Sequence, residues 1–495
     1  MLKALSLAGL VVGAGVLYVV GVAVYNVFLH PLRKYPGPLL WRASRIPFCL
    51  SVDGGMIPHE VNRFHKKYGP VVRIAPDQLA YADAQAWKDV MGHHGSKKPE
   101  MARWDKYYRS VPGIGTHIIN ADRADHSAMR KIFSHSFSEK AVRDQEPIIK
   151  EYINLFVQRL VENCDDGKAT VEMSSYFNYL FFDVIGNLSY GEDFGCLNSD
   201  TSVPFVNAFF KGCRHAARLY ALAYFPTLQK WELQRAAKDQ DAIAEQVGFL
   251  REGILKLKKR MDSEETRPDL IQSLLDNRDK LGLDVMSLET NASILIAAGS
   301  ETTATTLSGL TYLLLTNRDA LDKLTEVVRG RFRAEDEITF ASCADIPYLK
   351  ACVDEGLRMY PPTPAGLPRV TPPGGAQIAG EWVPEGTAVE FYQYAVGHAP
   401  FLWTEPDEYH PERWLDDPRF AADQREAFQP FHLGPRSCLG RHLATMELRS
   451  IIARLVWKFD MKLDESSRNW MDGQLVYDVW TRPALNVHLT PAKRI

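Results

Sequence analysis

The chain has 495 residues, 46% of them hydrophobic and 24% charged, and its formal net charge is −3 at pH 7. This length allows a sizeable buried core, and without a basic excess the composition gives no indication of nucleic-acid binding. The seven cysteines are odd in number, widely spaced and free of CxxC pairs, which argues against a disulfide framework, a zinc ribbon and covalent c-type haem attachment.

The first element in the chain is a predicted membrane anchor, residues 1–30. Residues 4–29 carry no charge, and a helix of roughly 20 apolar residues is sufficient to cross a bilayer core. Lys3 precedes this run, whereas Arg33 and Lys34 follow it, a weak bias that places the rest of the chain on the cytoplasmic side. A cleaved signal peptide is the alternative, although its apolar region is usually shorter and a small-residue cleavage site should follow.

Residues 31–45 form a predicted proline-rich hinge. Pro36 and Pro38 fix their own backbone angles and disfavour helix at the preceding residue. Such a stiff segment would hold a globular body at a set angle to the membrane, although an ordinary loop could have the same composition.

Residues 46–495 are predicted to form one large, predominantly helical domain with small peripheral β-sheets. Apolar residues recur at intervals of three and four in the predicted helices, and shorter segments have strand-like patterns. The clearest predicted helices are residues 146–163, 240–263, 289–317 and 441–459. The predicted strands lie within residues 70–82, 377–392, 475–482 and 484–490. The fold class is therefore mainly α with small sheets (α+β), behind one N-terminal transmembrane helix.

Polar residues on two predicted helices are candidates for ligand binding. His126 and Arg130 are four residues apart, so both side chains can reach one anion from the same helix face, although a plain amphipathic helix would show the same spacing. In the central helix, Glu301 and Thr302 interrupt an otherwise apolar stretch, and Thr competes there with backbone hydrogen bonds. This pair is either a proton relay beside a bound group or a polar patch where two helices cross.

Two later segments supply further charges. Glu355 and Arg358 are three residues apart on one helix face, a spacing that usually marks a solvated surface pair. Pro361 and Pro362 end that helix, and the segment "PERW" adds a second arginine, Arg413. By themselves these residues do not distinguish a surface pair from a structural network.

Cys438 lies in the segment "FHLGPRSCLG", where a loop leads into an apolar helix. Gly434 and Gly440 permit backbone angles and close contacts that larger residues would obstruct. The nearby helix N-terminus and Arg436 both favour a thiolate, and Phe431 could shield the sulfur from water. These local features favour a stabilised thiolate over an inert buried thiol.

Such a thiolate could be a catalytic nucleophile or a metal ligand. A nucleophile needs a histidine base, and His432 and His442 are both close in sequence. The loop by itself leaves both chemistries open.

The order and combination of these motifs resemble the cytochrome P450 family of haem-thiolate monooxygenases over almost the whole chain. "FHLGPRSCLG" matches the family's haem-binding loop, F-x-x-G-x-R-x-C-x-G, at every fixed position, and "AGSETT" matches its oxygen-activation segment. Glu355 and Arg358 match its E-x-x-R pair, and "PERW" matches the segment that completes that network. "HPLRKYPGP" and "LPRVTPPGG" are most similar to fungal microsomal members.

The resemblance implies haem b as the cofactor, with a cysteine thiolate as the axial ligand of its iron. Glu301 and Thr302 are implied as the catalytic proton relay. Residues implied to bind the iron, the propionates or the haem faces are Cys438, Arg130, His126, Arg369, Arg436, Phe431, Gly440, Ala298 and Gly299. His126 departs from the tryptophan that many relatives carry there. The structural network implied is Glu355, Arg358 and Arg413, since buried charges persist only when paired.

The implied reaction is NADPH- and O2-dependent hydroxylation or epoxidation of a lipophilic small molecule. A membrane-bound NADPH–haemoprotein reductase would supply electrons, with cytochrome b5 as a second candidate donor, and no nucleic-acid partner is expected. The implied location is the endoplasmic reticulum membrane, single-pass, with the catalytic domain facing the cytosol. Similarity to fungal pathway hydroxylases implies a terpenoid, polyketide or alkaloid intermediate of secondary metabolism as the substrate.

Other functions explain fewer of the motifs. A haem-thiolate isomerase, dehydratase or ring-forming oxidase could use the same scaffold, but the intact pair of Glu301 and Thr302 favours oxygenation. A membrane-anchored thiol hydrolase would use Cys438 with a histidine, which explains none of the other three motifs. A non-catalytic haem-binding protein would not need the oxygen-activation segment.

By analogy with the family, four regions line the substrate pocket. They are residues 104–118, 205–225 and 361–368 and the terminal hairpin around Val479 and Trp480. Their content of Tyr, Phe, Leu and Ala predicts a lipophilic substrate of moderate size.

Overall fold

The computed structural model describes residues 2–93, 100–111, 115–199, 204–263, 267–278 and 284–493. Within these ranges the chain is mainly helical, and the helices and strands predicted from periodicity are confirmed at their expected places. In chain order, the α-helices of the described residues are α1 (Leu2–Val24), α2 (Leu39–Ala43), α3 (Ile46–Asp53), α4 (Ile57–Tyr68), α5 (Ala84–Met91), α6 (Asp105–Tyr108), α7 (Arg123–Ser136), α8 (Glu139–Asn163), α9 (Met173–Tyr190), α10 (Cys196–Ser199), α11 (Pro204–Leu222), α12 (Pro226–Ala236), α13 (Gln240–Asp262), α14 (Gln272–Asp276), α15 (Val285–Thr316), α16 (Arg318–Arg331), α17 (Phe340–Ala344), α18 (Pro347–Met359), α19 (Gln393–Gly397) and α20 (Arg441–Lys458).

The strands form small sheets around the helical body. They are β1 (Val71–Ala75), β2 (Gln78–Tyr81), β3 (Ala102–Arg103), β4 (Thr170–Glu172), β5 (Arg369–Val370), β6 (Ala376–Ile378), β7 (Glu381–Val383), β8 (Ala388–Glu390), β9 (Phe459–Leu463), β10 (Leu475–Tyr477), β11 (Val479–Thr481) and β12 (Asn486–Pro491). One sheet has the order β1-β2-β8-β5-β3 and another the order β4-β12-β9, and β6-β7 and β10-β11 are antiparallel pairs. Four strands, β3, β4, β5 and β9, were not predicted from the sequence, because each is short or recognisable only through its pairing with a strand distant in the chain.

Helix α15 runs through the hydrophobic core and packs against α9, α18 and α20. Its first turn is capped by Asp284, whose side chain accepts a hydrogen bond from the Ser287 N–H (2.8 Å). A Cβ at Gly309 would overlap the ring of Tyr360, so glycine is needed where α15 passes the end of α18. The helix is therefore held along its length by packing, which fixes the direction of its polar residues.

Among the described residues, the apolar N-terminal helix is bonded to the body near its C-terminal end. Leu10–Leu29 is long and apolar enough to cross a membrane, with a mean hydropathy of 2.1, and only 11% of that window is buried. The Asn26 side chain donates to the Ala43 oxygen (2.9 Å), and Arg73 in β1 donates to the Asn26 oxygen (2.8 Å). The Arg73 N–H also bonds the Pro36 oxygen (2.7 Å), so the segment after the helix has a defined path along β1.

Candidate functional site

Cys438 lies in a loop whose backbone is tightly held between a short helical turn and α20. Gly434 has a left-handed φ of 80°, and a Cβ there would overlap the backbone oxygen of Met91, so only glycine fits. The Cys438 N–H donates to the Phe431 oxygen (2.8 Å), and the Gly440 N–H favours the ionised form of the Cys438 sulfur. The loop therefore fixes the direction of the Cys438 side chain.

The Cys438 thiol faces an internal space. Cys438 has an exposed side chain, whereas the other six cysteines are buried or half-buried. Burial nevertheless raises the pKa of its thiol, and the Gly440 N–H and the charges of Arg130 and Arg441 oppose this rise only in part. In the protein alone, burial therefore outweighs the local features that favour the thiolate. A bound metal cation that replaces the proton would hold the sulfur as a thiolate.

Two residues of α15 also have accessible surface although the helix crosses the core. Ala298 is exposed and Thr302 is partly exposed, one helical turn apart, and the Thr302 hydroxyl donates to the Ala298 oxygen (2.6 Å). Gly299 has a different role, because a Cβ there would come within 2.9 Å of the Ile185 side chain in α9. Ala298 and Thr302 thus face a space, whereas Gly299 permits close helix packing.

Glu301 belongs to a buried polar cluster that reaches the end of the β10–β11 hairpin. Its Oε1 accepts hydrogen bonds from Arg482 (2.7 Å) and from the Thr305 hydroxyl (2.8 Å), whereas its Oε2 is buried without a partner. Arg482 also donates to Ser308 and Asn178, both at 3.1 Å. Burial raises the pKa of Glu301, and Arg482 opposes this rise only in part.

Arg482 was not predicted from the sequence, and the side chains of Glu301 and Thr302, expected to form a relay, point to different partners. In the described part of the chain, no hydrogen bond joins Glu301 to Thr302. The available signal was an arginine at the end of an apolar strand, because a buried charge requires a partner. The partner itself, 181 residues away, could not be read from local pattern.

Two of the arginines predicted to bind the haem propionates instead have their guanidinium groups paired with other groups of the protein. Arg130 donates to the backbone oxygen (2.6 Å) and the hydroxyl (3.1 Å) of Ser437, the residue before the candidate ligand. Arg436 forms an ion pair with Glu100 (2.9 Å). Arg130 thus positions the cysteine loop, and Arg436 joins that loop to the segment before β3.

Two other arginines carry buried N–H groups without partners. Arg369 is 5% exposed and its Nε has no hydrogen-bond partner, and the same holds for Nη1 of Arg103, which the sequence analysis missed. Among the described residues neither forms an ion pair. Burial lowers the pKa of Arg369, and burial together with Arg436 lowers that of Arg103 to about 10. Buried cations without anions fit a ligand that brings its own carboxylates.

His126 is a buried, neutral histidine near these cations. It is 5% exposed, and burial, followed by the charges of Arg436 and Arg130, lowers its pKa to about 4. It can therefore serve as a neutral donor, as expected from its position in α7.

Neither neighbouring histidine is placed as a base for Cys438. The His432 ring packs edge-on against Trp87 (5.1 Å between ring centres), and burial lowers its pKa to about 4. In the described structure no histidine is hydrogen-bonded to the Cys438 sulfur, and His442 is exposed. The nucleophile interpretation therefore has no support from geometry. An accessible thiol together with unpaired buried guanidinium groups fits a haem iron and its propionates.

Phe431 is half-buried and packs against the main hydrophobic core. The Arg441 guanidinium lies 6.0 Å from its ring centre. Its backbone oxygen accepts the Cys438 N–H, so this residue supports the loop through its main chain as well as its ring.

Glu355, Arg358 and Arg413 form a buried network, with side chains that are 0% exposed. Arg358 donates to both Glu355 oxygens (2.8 and 2.9 Å), and Arg413 donates to Oε1 (3.3 Å). The Trp414 indole N–H (3.0 Å) and the His410 backbone N–H (3.0 Å) also donate to the Glu355 carboxylate. The network ties α18 to the segment that precedes the cysteine loop.

A cavity is lined by the regions expected to contact a substrate. It includes the α6 segment, helix α11, the segment after α18, and the β10–β11 hairpin. The hairpin contributes Val476 and Asp478, whereas Trp480 stacks on Tyr360 (4.8 Å) in the core. Residues 112–114 and the side chains of residues 205–209 lie outside the described residues.

Comparisons with known proteins agree with the motifs. The family model described as cytochrome P450 matches residues 36–486. "Cytochrome P450 monooxygenase tpeC" of Talaromyces stipitatus is 42% identical over 96% of this chain and 93% of its own length. "Cytochrome P450 monooxygenase prhB" of Penicillium brasilianum is 39% identical, over 98% of this chain and 99% of its own. "Trichothecene C-15 hydroxylase" of Fusarium sporotrichioides is also 39% identical, over 98% of both chains.

Proposed function

Because the chain belongs to the cytochrome P450 family, we propose that it is a haem-thiolate monooxygenase that inserts one oxygen atom from O2 into a lipophilic small molecule. The observation that carries this proposal is the accessible thiol of Cys438, in a loop held by the bond from the Cys438 N–H to the Phe431 oxygen (2.8 Å). The names of the relatives support it, since they describe monooxygenases and a hydroxylase.

The residues of the site have complementary roles toward haem. When bound, haem supplies the iron at which dioxygen is activated for insertion into a C–H or C=C bond. Cys438 would bind the iron as a thiolate, and the Gly440 N–H would tune the sulfur by its hydrogen bond. Arg369 and Arg103 would bind the propionates, because their buried N–H groups need anionic partners.

Thr302 and Glu301 would bind and transfer protons on the substrate side of the site. The Thr302 hydroxyl faces the accessible side of α15 and already donates to a carbonyl one turn earlier, so it can both hold and pass a proton. Because burial raises the pKa of Glu301, its carboxyl can carry a proton closer to neutral pH than an exposed glutamate. Its unpartnered Oε2 is the atom available for that proton.

Family membership supports a proposal for the electron supply and the location. We assign the electrons to NADPH through a membrane-bound reductase, with cytochrome b5 as a second candidate donor. The apolar helix within residues 1–30 would anchor residues 46–495 to the endoplasmic reticulum membrane through the hinge of residues 31–45, with the catalytic domain facing the cytosol. The fungal relatives favour an intermediate of secondary metabolism as the substrate.

A haem-thiolate isomerase, dehydratase or ring-forming oxidase remains the second candidate function. Each would use the same iron ligand. An isomerase or dehydratase needs no proton delivery to oxygen, so the accessible Thr302 hydroxyl and the raised pKa of Glu301 favour oxygen activation over those two reactions. A ring-forming oxidase also consumes O2 and protons, so the identity of the product distinguishes it from a monooxygenase.

The proposal is tested by the absorption spectrum of the reduced, carbon monoxide-bound protein. The wild type is expected to give the strongly red-shifted Soret band of a thiolate complex, and Cys438→Ser is expected to lose it. Cys164→Ser is the matched control, because the Cys164 thiol already donates to the Val161 oxygen (3.4 Å), a bond that serine can keep. An ordinary Soret band in folded wild-type protein would overturn the assignment of Cys438.

A further inference from the structure

The cavity beside α6 and α11 contains acidic groups that a purely lipophilic pocket does not need. Its volume of about 170 Å³ is more than ten times the roughly 15 Å³ that one water molecule needs, so it has room for part of a substrate. Tyrosine rings and two carboxyl groups line it, at Tyr107, Tyr108, Tyr220, Tyr392, Glu390 and Asp478. The expectation of a lining dominated by apolar groups is therefore incomplete.

Asp478 holds a carboxyl group at the cavity wall with one oxygen free. It forms the tip of the β10–β11 hairpin, between the paired residues Tyr477 and Val479. Its Oδ1 accepts a hydrogen bond from the Tyr107 hydroxyl (2.8 Å). Among the described residues, Oδ2 has no hydrogen-bond partner, and no cation lies within ion-pair distance of either oxygen. Burial raises the pKa of Asp478, as expected for a carboxyl group without a counter-ion.

Glu390 in β8 is a second carboxyl group of the same cavity. It is 2% exposed, and its Oε1 accepts hydrogen bonds from Gln78 and from the Tyr392 hydroxyl (2.8 Å). Its Oε2 lies against Gly366 and has no hydrogen-bond partner within the described ranges. Burial raises the pKa of Glu390 to about 7, so this group is partly ionised at neutral pH.

The tyrosines beside Asp478 form an aromatic corner. The Tyr107 ring is edge-on to the rings of Tyr108 (4.9 Å, 84°) and Tyr220 (5.1 Å, 90°). Aromatic faces attract cations electrostatically, and more strongly where water is excluded. Perpendicular rings next to a carboxylate are the arrangement that binds ammonium groups.

The cations near the cavity do not neutralise Asp478. Arg103 lies over the Tyr108 ring (4.8 Å), on the side assigned to the propionates. His117 lines the cavity, but burial lowers its pKa to about 4, so it is neutral. Arg45 is paired with Asp77. Arg214 is exposed and lies over the Tyr477 ring (5.6 Å) rather than against the Asp478 carboxyl group.

We propose that the substrate carries a protonated amine, whose ammonium group binds in this cavity against the Asp478 carboxylate and the Tyr107 ring. Glu390 is a second carboxyl group at the wall of the same cavity, and it adds negative charge near that ammonium. The inference rests on the proposed monooxygenase function and narrows its substrate class to lipophilic bases.

The test is titration calorimetry of the full-length, haem-loaded protein with matched probes. The first probe is (4-phenylbutyl)trimethylammonium, and the second is its neutral isostere, in which a tert-butyl group replaces the trimethylammonium group. The quaternary nitrogen has no lone pair and cannot ligate iron. The wild type is expected to bind the cation at least about tenfold more tightly than the isostere. A third probe, 4-phenylbutanol, measures any preference for a hydroxyl group.

Asp478→Asn removes the charge but keeps the shape of the side chain and the left-handed backbone angle (φ 64°) that Asn readily adopts. This variant is expected to lose the preference for the cation and to keep its affinity for the isostere within about twofold, since the apolar contacts remain. Asp472→Asn, an exposed position shortly before the hairpin, is the charge-matched control and is expected to keep the preference. Asp478→Ser replaces the asparagine variant if the latter does not fold.

Three results would overturn the inference: equal wild-type affinity for cation and isostere, tighter binding of the alcohol, or an unchanged preference in Asp478→Asn. The carbon monoxide spectrum of the same preparations separates the two proposals. A normal thiolate spectrum without a cation preference overturns the amine inference alone. A cation preference that depends on Asp478 in protein without a thiolate spectrum overturns the monooxygenase proposal alone.

Discussion

Glu355 and Glu301 are both buried in helices, and each contacts an arginine, yet the two sites differ in how completely the carboxylate is paired. Glu355 receives N–H groups from Arg358 and Arg413 and further ones from Trp414 and His410, which satisfy both oxygens. Burial alone would raise the pKa of Glu355, but the charges of the two arginines and these hydrogen bonds bring it below the ordinary value.

Glu301 has one arginine, and one of its oxygens has no partner. Arg482 and Thr305 both bond Oε1, and burial outweighs them, so the pKa of Glu301 is above its ordinary value. The number of hydrogen-bond donors and cations around each buried carboxyl group thus determines the direction in which its pKa is shifted. A saturated one remains an anion that holds elements together, whereas an unsaturated one can take up and release a proton.

The largest effect is expected when the saturated network is broken. Arg358→Ala leaves Glu355 with one arginine and removes the bonds to the backbone oxygens of Pro406 (2.7 Å) and Glu408 (3.0 Å). Loss of one member of a buried ion pair costs about 3–5 kcal/mol, so little folded, haem-binding protein is expected. The measurement is the yield of carbon monoxide-binding protein and its thermal unfolding midpoint.

Arg468→Ala is the matched control for that variant. Arg468 and Glu465 have the same three-residue spacing (3.2 Å), but their side chains are 76% and 84% exposed. An exposed pair contributes at most about 1 kcal/mol, so this variant should resemble the wild type. Equal stability of both variants would contradict a structural role for the Glu355 network.

At the unsaturated site, around Glu301 and Thr302, we expect a smaller effect on stability but a large effect on turnover. Thr302→Ala removes the accessible hydroxyl and should keep haem, while product formed per NADPH falls by about 10²-fold because a positioned proton donor is lost. Thr302→Ser, which keeps a hydroxyl, should restore much of the yield. Thr303→Ala is the neighbouring control, since Thr303 is buried and donates to the Gly299 oxygen (3.1 Å). Unchanged coupling in Thr302→Ala would contradict the relay.

The smallest effect is a difference in pH dependence between the two glutamates. The folded-state pKa of Glu301 is raised, so its contribution to stability is fully present below the unfolded value, about 4.3, and is lost as the pH rises through the folded value. The stability of the wild type relative to Glu301→Gln should therefore fall as the pH rises above about 4.

Glu355 should show the opposite sign. Its folded-state pKa is lowered, so the stability it contributes is present above about 4.3 and is lost as the pH falls through its folded value. Thermal unfolding midpoints of wild type, Glu301→Gln and Glu355→Gln across this range measure both slopes. Slopes of the same sign would contradict the assignment of one carboxyl group as fixed anion and the other as proton carrier.

The sequence by itself determined the elements whose information is local. The periodic helices are each encoded within a few turns of chain, so spacing and residue type were sufficient to predict them. The cysteine loop and the E-x-x-R pair are also local, but their roles were implied only by the resemblance of the combined motifs to a family. The fold class could be predicted for the same reason, and so could the apolar character of the N-terminal helix.

Only the tertiary structure decided which distant side chains meet. Arg482 pairs with Glu301 across 181 residues, and Arg436 pairs with Glu100 across 336, so no local pattern could reveal either. The free Asp478 oxygen at the cavity wall depends in the same way on where the terminal hairpin packs. Pairing and burial set the charge state of each group, and both arise from packing between elements that are remote in the chain.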